Sequence, residues 1–149
     1  SFKINFIMQT KINWIALLTA VVAGTAIGFL WYGLLFTSQW MSGNGMSMEG
    51  DRILKDGVEM PKSMLPMIVN IITLMVYAYF INWLITKSAS FGYTSGATLG
   101  AVLGIISFFG IYTANRFNFR PTSLSMVDGS YMLVLFTVMA SIIGGWRAK

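Results

Sequence analysis

The chain has 149 residues, of which 56% are hydrophobic and only 10% are charged. Globular domains usually carry about 25% charged residues, because a small domain has much surface to keep in water. This composition excludes an ordinary soluble domain and indicates a protein that faces lipid. Cysteine and histidine are both absent, which excludes disulfides, thiolate nucleophiles, imidazole bases and Cys- or His-ligated metal sites.

Long uncharged intervals predict four transmembrane helices in an all-α fold. A charged residue at the centre of a membrane helix costs about 2.5–3.5 kcal/mol, and about 20 apolar residues are needed to cross the hydrocarbon core. The predicted helices cover residues 12–36, 64–86, 93–115 and 125–146. We therefore expect one domain over residues 1–149, an integral membrane four-helix bundle.

The chain ahead of the first predicted helix carries Lys3 and Lys11, and the chain after that helix is polar. Met8 shortly precedes the first predicted helix and would make an ordinary start, so residues 1–7 are interpreted as an extension, with a trimmed native start as the alternative. The apolar run that follows is too long for a cleavable signal peptide. Residues 37–62 carry mixed charges, glycines and Pro61, which predicts a solvated loop with at most one short surface helix. Its acids do not match the spacing of a calcium-binding loop.

The basic residues do not decide the orientation in the membrane. Four spans place both termini on one side, and five basic residues fall on each side. The termini side has Lys3, Lys11, Lys87, Arg147 and Lys149, and the opposite side has Arg52, Lys55, Lys62, Arg116 and Arg120. The termini side has no acids, so we predict that both termini are cytoplasmic.

Tryptophan and tyrosine residues cluster near the predicted helix ends. Amphipathic rings prefer the depth of the lipid headgroups, so these residues are predicted to be interface anchors; lining of a ligand site is the alternative. The predicted anchors on the termini side are Trp14, Trp83 and Trp146, and those on the opposite side are Trp31, Tyr32 and Trp40.

Small residues at four-residue spacing form ridges on three of the helices. Small side chains allow close approach of two helix backbones in lipid. The ridges contain Ala16, Ala20, Gly24 and Gly28 on the first helix, Gly96, Gly100 and Gly104 on the third, and Thr137, Ser141 and Gly145 on the fourth. We expect packing within the chain, with packing between subunits as the alternative.

Asp128 is the one acid outside the long loop. An ionisable residue inside a span is a functional-site hypothesis by default, for a proton relay or a cation pathway. In the competing interpretation Asp128 lies in the first turn of the fourth helix, complements the helix dipole and pairs with Arg116 or Arg120.

Several short aromatic-rich motifs resemble the domain of unknown function 1761 family. They are Asn13-Trp14, the run from Gly28 to Gly33, Phe36, Trp40-Met41, Arg120-Pro121, Gly129-Ser130-Tyr131 and Gly144-Gly145-Trp146. The resemblance implies a small bacterial integral membrane protein with four helices and implies no activity. Relatives often have proline after the Trp-Tyr pair, where this chain has Gly33-Leu34. Their last span often begins with an asparagine and carries a histidine after the tyrosine, where this chain has Asp128 and Met132.

No sequence motif for an enzyme, a cofactor, a metal or a nucleic acid is present. The phosphate-binding, dinucleotide-binding and nucleophile-elbow patterns are all missing, so we predict a non-enzymatic protein without a cofactor. The predicted function is that of a structural or accessory subunit of the bacterial inner membrane, whose partners are the lipid bilayer and a homo-oligomer or larger membrane complex. The alternative is a small channel or transporter with its pathway between protomers.

Overall fold

The computed structural model describes residues 12–146, and it consists mainly of helices. In chain order the elements are α1 (Trp14–Gly28), a π-helical segment (Phe29–Leu35), α2 (Thr37–Gly43), β1 (Met46–Glu49), β2 (Arg52–Lys55), β3 (Val58–Glu59), α3 (Leu65–Ser88), α4 (Tyr93–Phe117) and α5 (Thr122–Gly145). The predicted extension at residues 1–7 and the terminal charges Lys3, Lys11, Arg147 and Lys149 lie outside the described residues.

Four helices are long and apolar enough to cross a membrane, as the sequence predicts. They are Trp14–Leu35, Leu65–Ser88, Tyr93–Phe117 and Thr122–Gly145. The Asn13 side chain accepts a hydrogen bond from the Ala16 backbone N–H at 3.2 Å and so caps α1. Pro66 lies in the first turn of α3, where its missing N–H has no intrahelical acceptor to lose.

The last helix begins three residues earlier than predicted. Pro121 has an extended conformation, with φ −65° and ψ 150°, and its carbonyl accepts the first hydrogen bonds of α5. Proline is compatible with this position because its own N–H is absent. Asp128 consequently lies beyond the first turn, about 9 Å along the helix from Thr122 at 1.5 Å per residue.

The far end of the first span is π-helical over seven residues, from Phe29 to Leu35. The Phe36 N–H bonds to the Trp31 carbonyl, five residues back, at 2.9 Å. Consecutive residues of an α-helix diverge by about 100°. A π-helix has more residues per turn, so the angle between consecutive side chains is smaller. Trp31 and Tyr32 both contact α5. π-Helical turns are rare and occur often at functional sites.

The segment after α2 forms a three-stranded antiparallel sheet, so the all-α prediction and the predicted irregular loop are wrong here. Met46–Glu49 pairs with Arg52–Lys55, which pairs with Val58–Glu59. Asp56 and Gly57 both have positive φ, 50° and 82°, as a type I′ hairpin turn requires. The Asp-Gly pair between two short strands is the sequence signal for this hairpin.

The helices are not arranged as a symmetric four-helix bundle. One apolar stripe each from α1, α3 and α5 forms the core, and α4 packs almost entirely on α5. The buried core side chains include Leu17, Ala20, Leu74, Ala78, Ile81, Ile85, Leu135, Met139, Ala140 and Ile143. The outward faces carry exposed large apolar side chains, which is the surface that a helix in contact with lipid requires.

Candidate functional site

The glycine ridge of α4 is packed against α5. A Cβ atom added at Gly100 would lie 2.8 Å from the Cα of Thr137, and one added at Gly104 would lie 2.6 Å from the Cα of Leu133. A Cβ added at Gly96 would overlap the carbonyl of Ala140. Because these neighbours are backbone atoms, only glycine permits this distance between α4 and α5.

The small residues of α1 and α5 also face the interior of the chain. Ala16 and Ala20 are fully buried, and Gly24 contacts the side chains of Leu74 and Leu135. The remaining positions have partners on other helices: Gly28 faces Tyr131, the Ser141 hydroxyl donates to the Tyr93 carbonyl at 3.1 Å, and Gly145 lies against the Tyr93 ring. Within residues 12–146, the ridge residues therefore contact other helices of the same chain.

The six predicted anchors fall into two groups. Trp14, Trp83 and Trp146 are exposed at the end of the molecule where α1 begins and α5 ends. Trp31, Tyr32 and Trp40 are only partly exposed at the other end. There, Trp31 Nε1 donates to the Val127 carbonyl at 3.0 Å, and the Tyr32 ring packs against the Trp40 ring at 5.6 Å. Contacts with the rest of the chain position this second group.

Asp128 is hydrogen-bonded to the π-helical segment. The Tyr32 hydroxyl donates to Asp128 Oδ1 at 3.0 Å, although the two residues are 96 positions apart. The neighbouring bond from Trp31 to Val127 fixes the same two segments against each other. The half-buried Asp128 carboxylate is therefore held in one orientation.

Asp128 and Tyr32 line a cavity of about 300 Å³ between the π-helical segment, α4 and α5. The lining residues are Tyr32, Ile111, Ala114, Asn115, Asp128, Tyr131 and Met132. The Tyr32 and Tyr131 rings pack against each other at 5.0 Å. The cavity thus combines one carboxylate, two phenol rings and an amide with an otherwise apolar wall.

Asn115 supplies the amide of this cavity. It lies close enough to the Asp128 carboxylate to interact with it. Its Nδ2 is nevertheless buried without a hydrogen bond of ordinary length and angle to any part of residues 12–146. A buried donor without an acceptor costs about 1–3 kcal/mol, so the Asn115 amide is a strained member of the cavity wall.

The predicted ion pair between Asp128 and Arg116 or Arg120 is not formed. The ion pairs within residues 12–146 join Arg52 to Glu49 and to Glu59 on the sheet. Arg116 donates to the Arg120 carbonyl and lies 5.7 Å from the centroid of the Tyr112 ring. Arg120 donates to the Gly43 carbonyl at 3.4 Å. The arginines stabilise the α4–α5 turn and α2.

The helix-cap interpretation of Asp128 is also wrong. The unsatisfied N–H groups of a helix belong to its first four residues, and the first turn of α5 contains no acid. Asp128 is the seventh residue of the helix and faces the cavity.

The chemistry available to the cavity is narrow. No group of three or more acids exists within residues 12–146, so a multidentate site for a divalent metal is not formed there. One carboxylate can neutralise a single positive charge, and its oxygens can accept hydrogen bonds from donors. The arrangement is therefore suited to binding one monovalent cation or exchanging one proton.

Two members of the site were not identified from the sequence as site residues. Asn115 lies at the end of the predicted third helix, and Tyr131 belongs to one of the motifs that resemble the family. Polar residues three apart on α5, at positions 128 and 131, share a helix face. That spacing is a weak signal, because it does not say what the face contacts.

The sequence was compared with known families, proteins and structures. The profile of the family described as "Protein of unknown function (DUF1761)" matches residues 15–144. No curated protein and no solved structure matches the chain. The matched region contains every residue that lines the cavity and all four long apolar helices except Trp14 and Gly145 at their outer ends. The chain belongs to the DUF1761 family of proteins of unknown function.

Proposed function

We propose that this protein is a small membrane transport protein that binds a monovalent cation at Asp128. The observation that carries the proposal is the Asp128 carboxylate, held by Tyr32 at 3.0 Å, beside a cavity and two turns inside an apolar helix. An acid in such a helix costs about 2.5–3.5 kcal/mol on insertion scales. Intramembrane acids commonly mark ion pathways and proton relays.

The position of the cavity supports a site that is entered from one side. Asn115 is two residues from the end of α4, and Tyr32 is three residues from the end of the π-helical segment. The cavity therefore lies at the end of the helices that also carries α2 and the sheet. A cation would enter there and meet the carboxylate before it reaches the apolar core.

Association as an oligomer or as an accessory subunit is the competing proposal. Its original support was the small-residue ridges, and those ridges are occupied by contacts within the chain. Any association would have to use the outward faces, where large apolar side chains predominate over small ones. Interfaces between membrane helices are enriched in small residues, so we rank this proposal second.

The flux of cations into liposomes tests the transport proposal. Purified protein alone would be reconstituted, and the flux of protons, potassium and radiolabelled choline would be measured under an imposed membrane potential. We expect flux of at least one cation above that of protein-free liposomes. Absence of flux for all three, together with stable co-purification of a larger membrane partner, would favour the accessory role.

Asp128→Asn should reduce this flux to the protein-free level, because the amide keeps the shape of the side chain and removes its charge. The matched control is Asp51→Asn, the same change at an exposed position in the β1–β2 turn, which should leave the flux unchanged. Flux retained in Asp128→Asn would contradict the assignment of the site.

We further propose that the chain lies in the bacterial inner membrane with both termini in the cytoplasm. The four apolar helices support a membrane location, and an even number of spans returns the chain to its starting side. The acids of the sheet segment lie on the side opposite the termini, which supports the orientation only weakly because acids contribute little to topology.

Single cysteines report the orientation directly, since the chain has no native cysteine. A membrane-impermeant maleimide should label Ser47→Cys in intact cells, because Ser47 is exposed on β1. Ser88→Cys, exposed at the opposite end of α3, should react only after the cells are permeabilised. The reverse pattern would place the termini outside.

A further inference from the structure

We infer that the cation bound at Asp128 is a small organic ammonium ion rather than a bare inorganic ion. The inference rests on the proposed use of this cavity as a cation site and adds the chemical class of the ligand. It depends on three features of the cavity: its single carboxylate, its two tyrosine rings and its mainly apolar wall.

The carboxylate lacks a positive partner within the chain. Arg116 and Arg120 are engaged elsewhere, and no cationic side chain pairs with Asp128 within residues 12–146. The Tyr32 hydroxyl donates to one carboxylate oxygen, but a neutral donor does not cancel the charge. A cation from outside the chain is therefore the group that this site lacks.

The polar groups are too few for an alkali metal ion. Hard cations such as Ca²⁺ and Mg²⁺ take six or more oxygen ligands, and sodium and potassium likewise depend on oxygen ligands. The polar groups that line the cavity are those of Asp128, Tyr32, Tyr131 and Asn115, and the Tyr32 hydroxyl already donates to the carboxylate. An inorganic ion would lose most of its hydration without sufficient replacement.

The aromatic and apolar walls suit an alkylated ammonium. Cations are attracted to tyrosine faces within about 6 Å of the ring centroid, and recognition of quaternary ammonium groups by aromatic side chains is the characteristic use of this attraction. Tyr32 and Tyr131 form one wall, and Ile111, Ala114 and Met132 contribute apolar surface. The methyl groups of an alkylammonium can contact these walls without loss of hydrogen bonds.

The volume of the cavity limits the size of the ligand. At 300 Å³, it lies at the lower end of the usual range of about 300–1,000 Å³ for ligand pockets. A water molecule occupies about 30 Å³ in the liquid, so the cavity holds roughly ten non-hydrogen atoms. An ammonium head with a short polar arm fits this space.

A matched pair of ligands tests this inference on the unaltered protein. Binding of choline to the full chain in detergent would be measured by calorimetry and by thermal unfolding, beside the neutral alcohol in which carbon replaces the choline nitrogen. Coulombic attraction between the quaternary ammonium and the carboxylate predicts that choline binds about tenfold more tightly or better. Potassium chloride at equal concentration should not reproduce its thermal shift. Equal binding of the neutral alcohol, equal protection by potassium, or no choline binding would each overturn the inference.

Substitutions in the cavity distinguish the contribution of the Asp128 charge to choline binding from that of the tyrosine rings. Asp128→Asn should weaken choline binding about tenfold or more, and Tyr131→Leu should weaken it about fivefold through loss of the ring face. Tyr131→Phe keeps the ring and should bind as the unaltered chain does. Equal affinity in Tyr131→Leu and Tyr131→Phe would contradict the aromatic contribution. A variant that fails to fold leaves the ligand pair on the unaltered chain as the deciding measurement.

The ammonium site and the transport function can be contradicted separately. Flux of protons or potassium without choline binding would overturn the ammonium assignment and retain transport. Choline binding without flux of any tested cation would overturn transport and retain the ammonium site.

Discussion

Gly100→Ala should destabilise the protein by about 3 kcal/mol, at the upper end of the usual cost of overpacking. The added Cβ would lie 2.7 Å from the Phe136 carbonyl carbon and 2.8 Å from the Thr137 Cα. Both are backbone atoms of α5, so no side-chain rotation relieves the overlap, and α4 must move away as a whole. The free energy of unfolding, measured by denaturant titration in mixed micelles, would report the loss.

Gly110→Ala provides the matched control on the same helix. An added Cβ at Gly110 meets nothing within 4 Å, and alanine has a helix propensity up to about 1 kcal/mol more favourable than that of glycine. We therefore expect unchanged or slightly raised stability. Similar losses for the two variants would show that helix–helix contact at Gly100 is not the reason that glycine is needed there.

Separation of α4 from α5 should also alter the cavity, because Asn115 lies on α4 while Asp128 and Tyr131 lie on α5. A Gly100→Ala chain that remains folded should bind cations more weakly than the unaltered chain. This loss would come from displacement of the cavity wall, since Gly100 itself does not line the cavity.

Leu74→Ala should cost about 2 kcal/mol, near the lower end of the range of about 2–5 kcal/mol for Leu→Ala in protein cores. Leu74 is 1% exposed and lies between α1 and α5, against Gly24 and Leu135. Moving a leucine side chain from lipid into the protein core contributes little free energy, because lipid tails are as apolar as leucine. The remaining cost comes from the cavity that the truncated side chain leaves behind.

Leu18→Ala is the control for this core position. Leu18 is 55% exposed on α1, one residue after the buried Leu17, so lipid or detergent fills the space that its truncation leaves. Surface changes of this kind usually alter stability by less than about 0.5 kcal/mol. Unfolding in the same micelles would compare the two variants. A loss at Leu18 as large as that at Leu74 would mean that the described core is not the main packed interface.

Much of the helical architecture follows from the sequence because charge is so costly in an apolar helix. The charge-free intervals predict all four long helices to within a few residues, including α3 with Pro66 in its first turn. The small-residue spacing also identifies the closest helix contacts in advance. These features are local or periodic, so they can be recognised without knowledge of which segments are neighbours.

The sheet could be predicted only in part from the sequence. The Asp56-Gly57 pair between short strands is a hairpin signal that the charges of the segment obscured, since mixed charge is equally typical of an irregular loop. The start of α5 is a similar case, because Pro121 permits a helix from Thr122 onward while the uncharged interval alone suggested a later start. Because α5 begins at Thr122, Asp128 lies beyond the first turn and does not cap the helix.

The sequence by itself determined the apolar spans, their small-residue ridges and the isolation of Asp128 from the other acids. Only the tertiary structure decided that the ridges are occupied within the chain, that α4 packs on α5 outside the core, and that Tyr32 donates to Asp128 from 96 residues away. The physical reason is that span formation depends on transfer energies summed along each segment. The site depends instead on which helix faces meet and on the π-helical turn that directs Trp31 and Tyr32 toward α5.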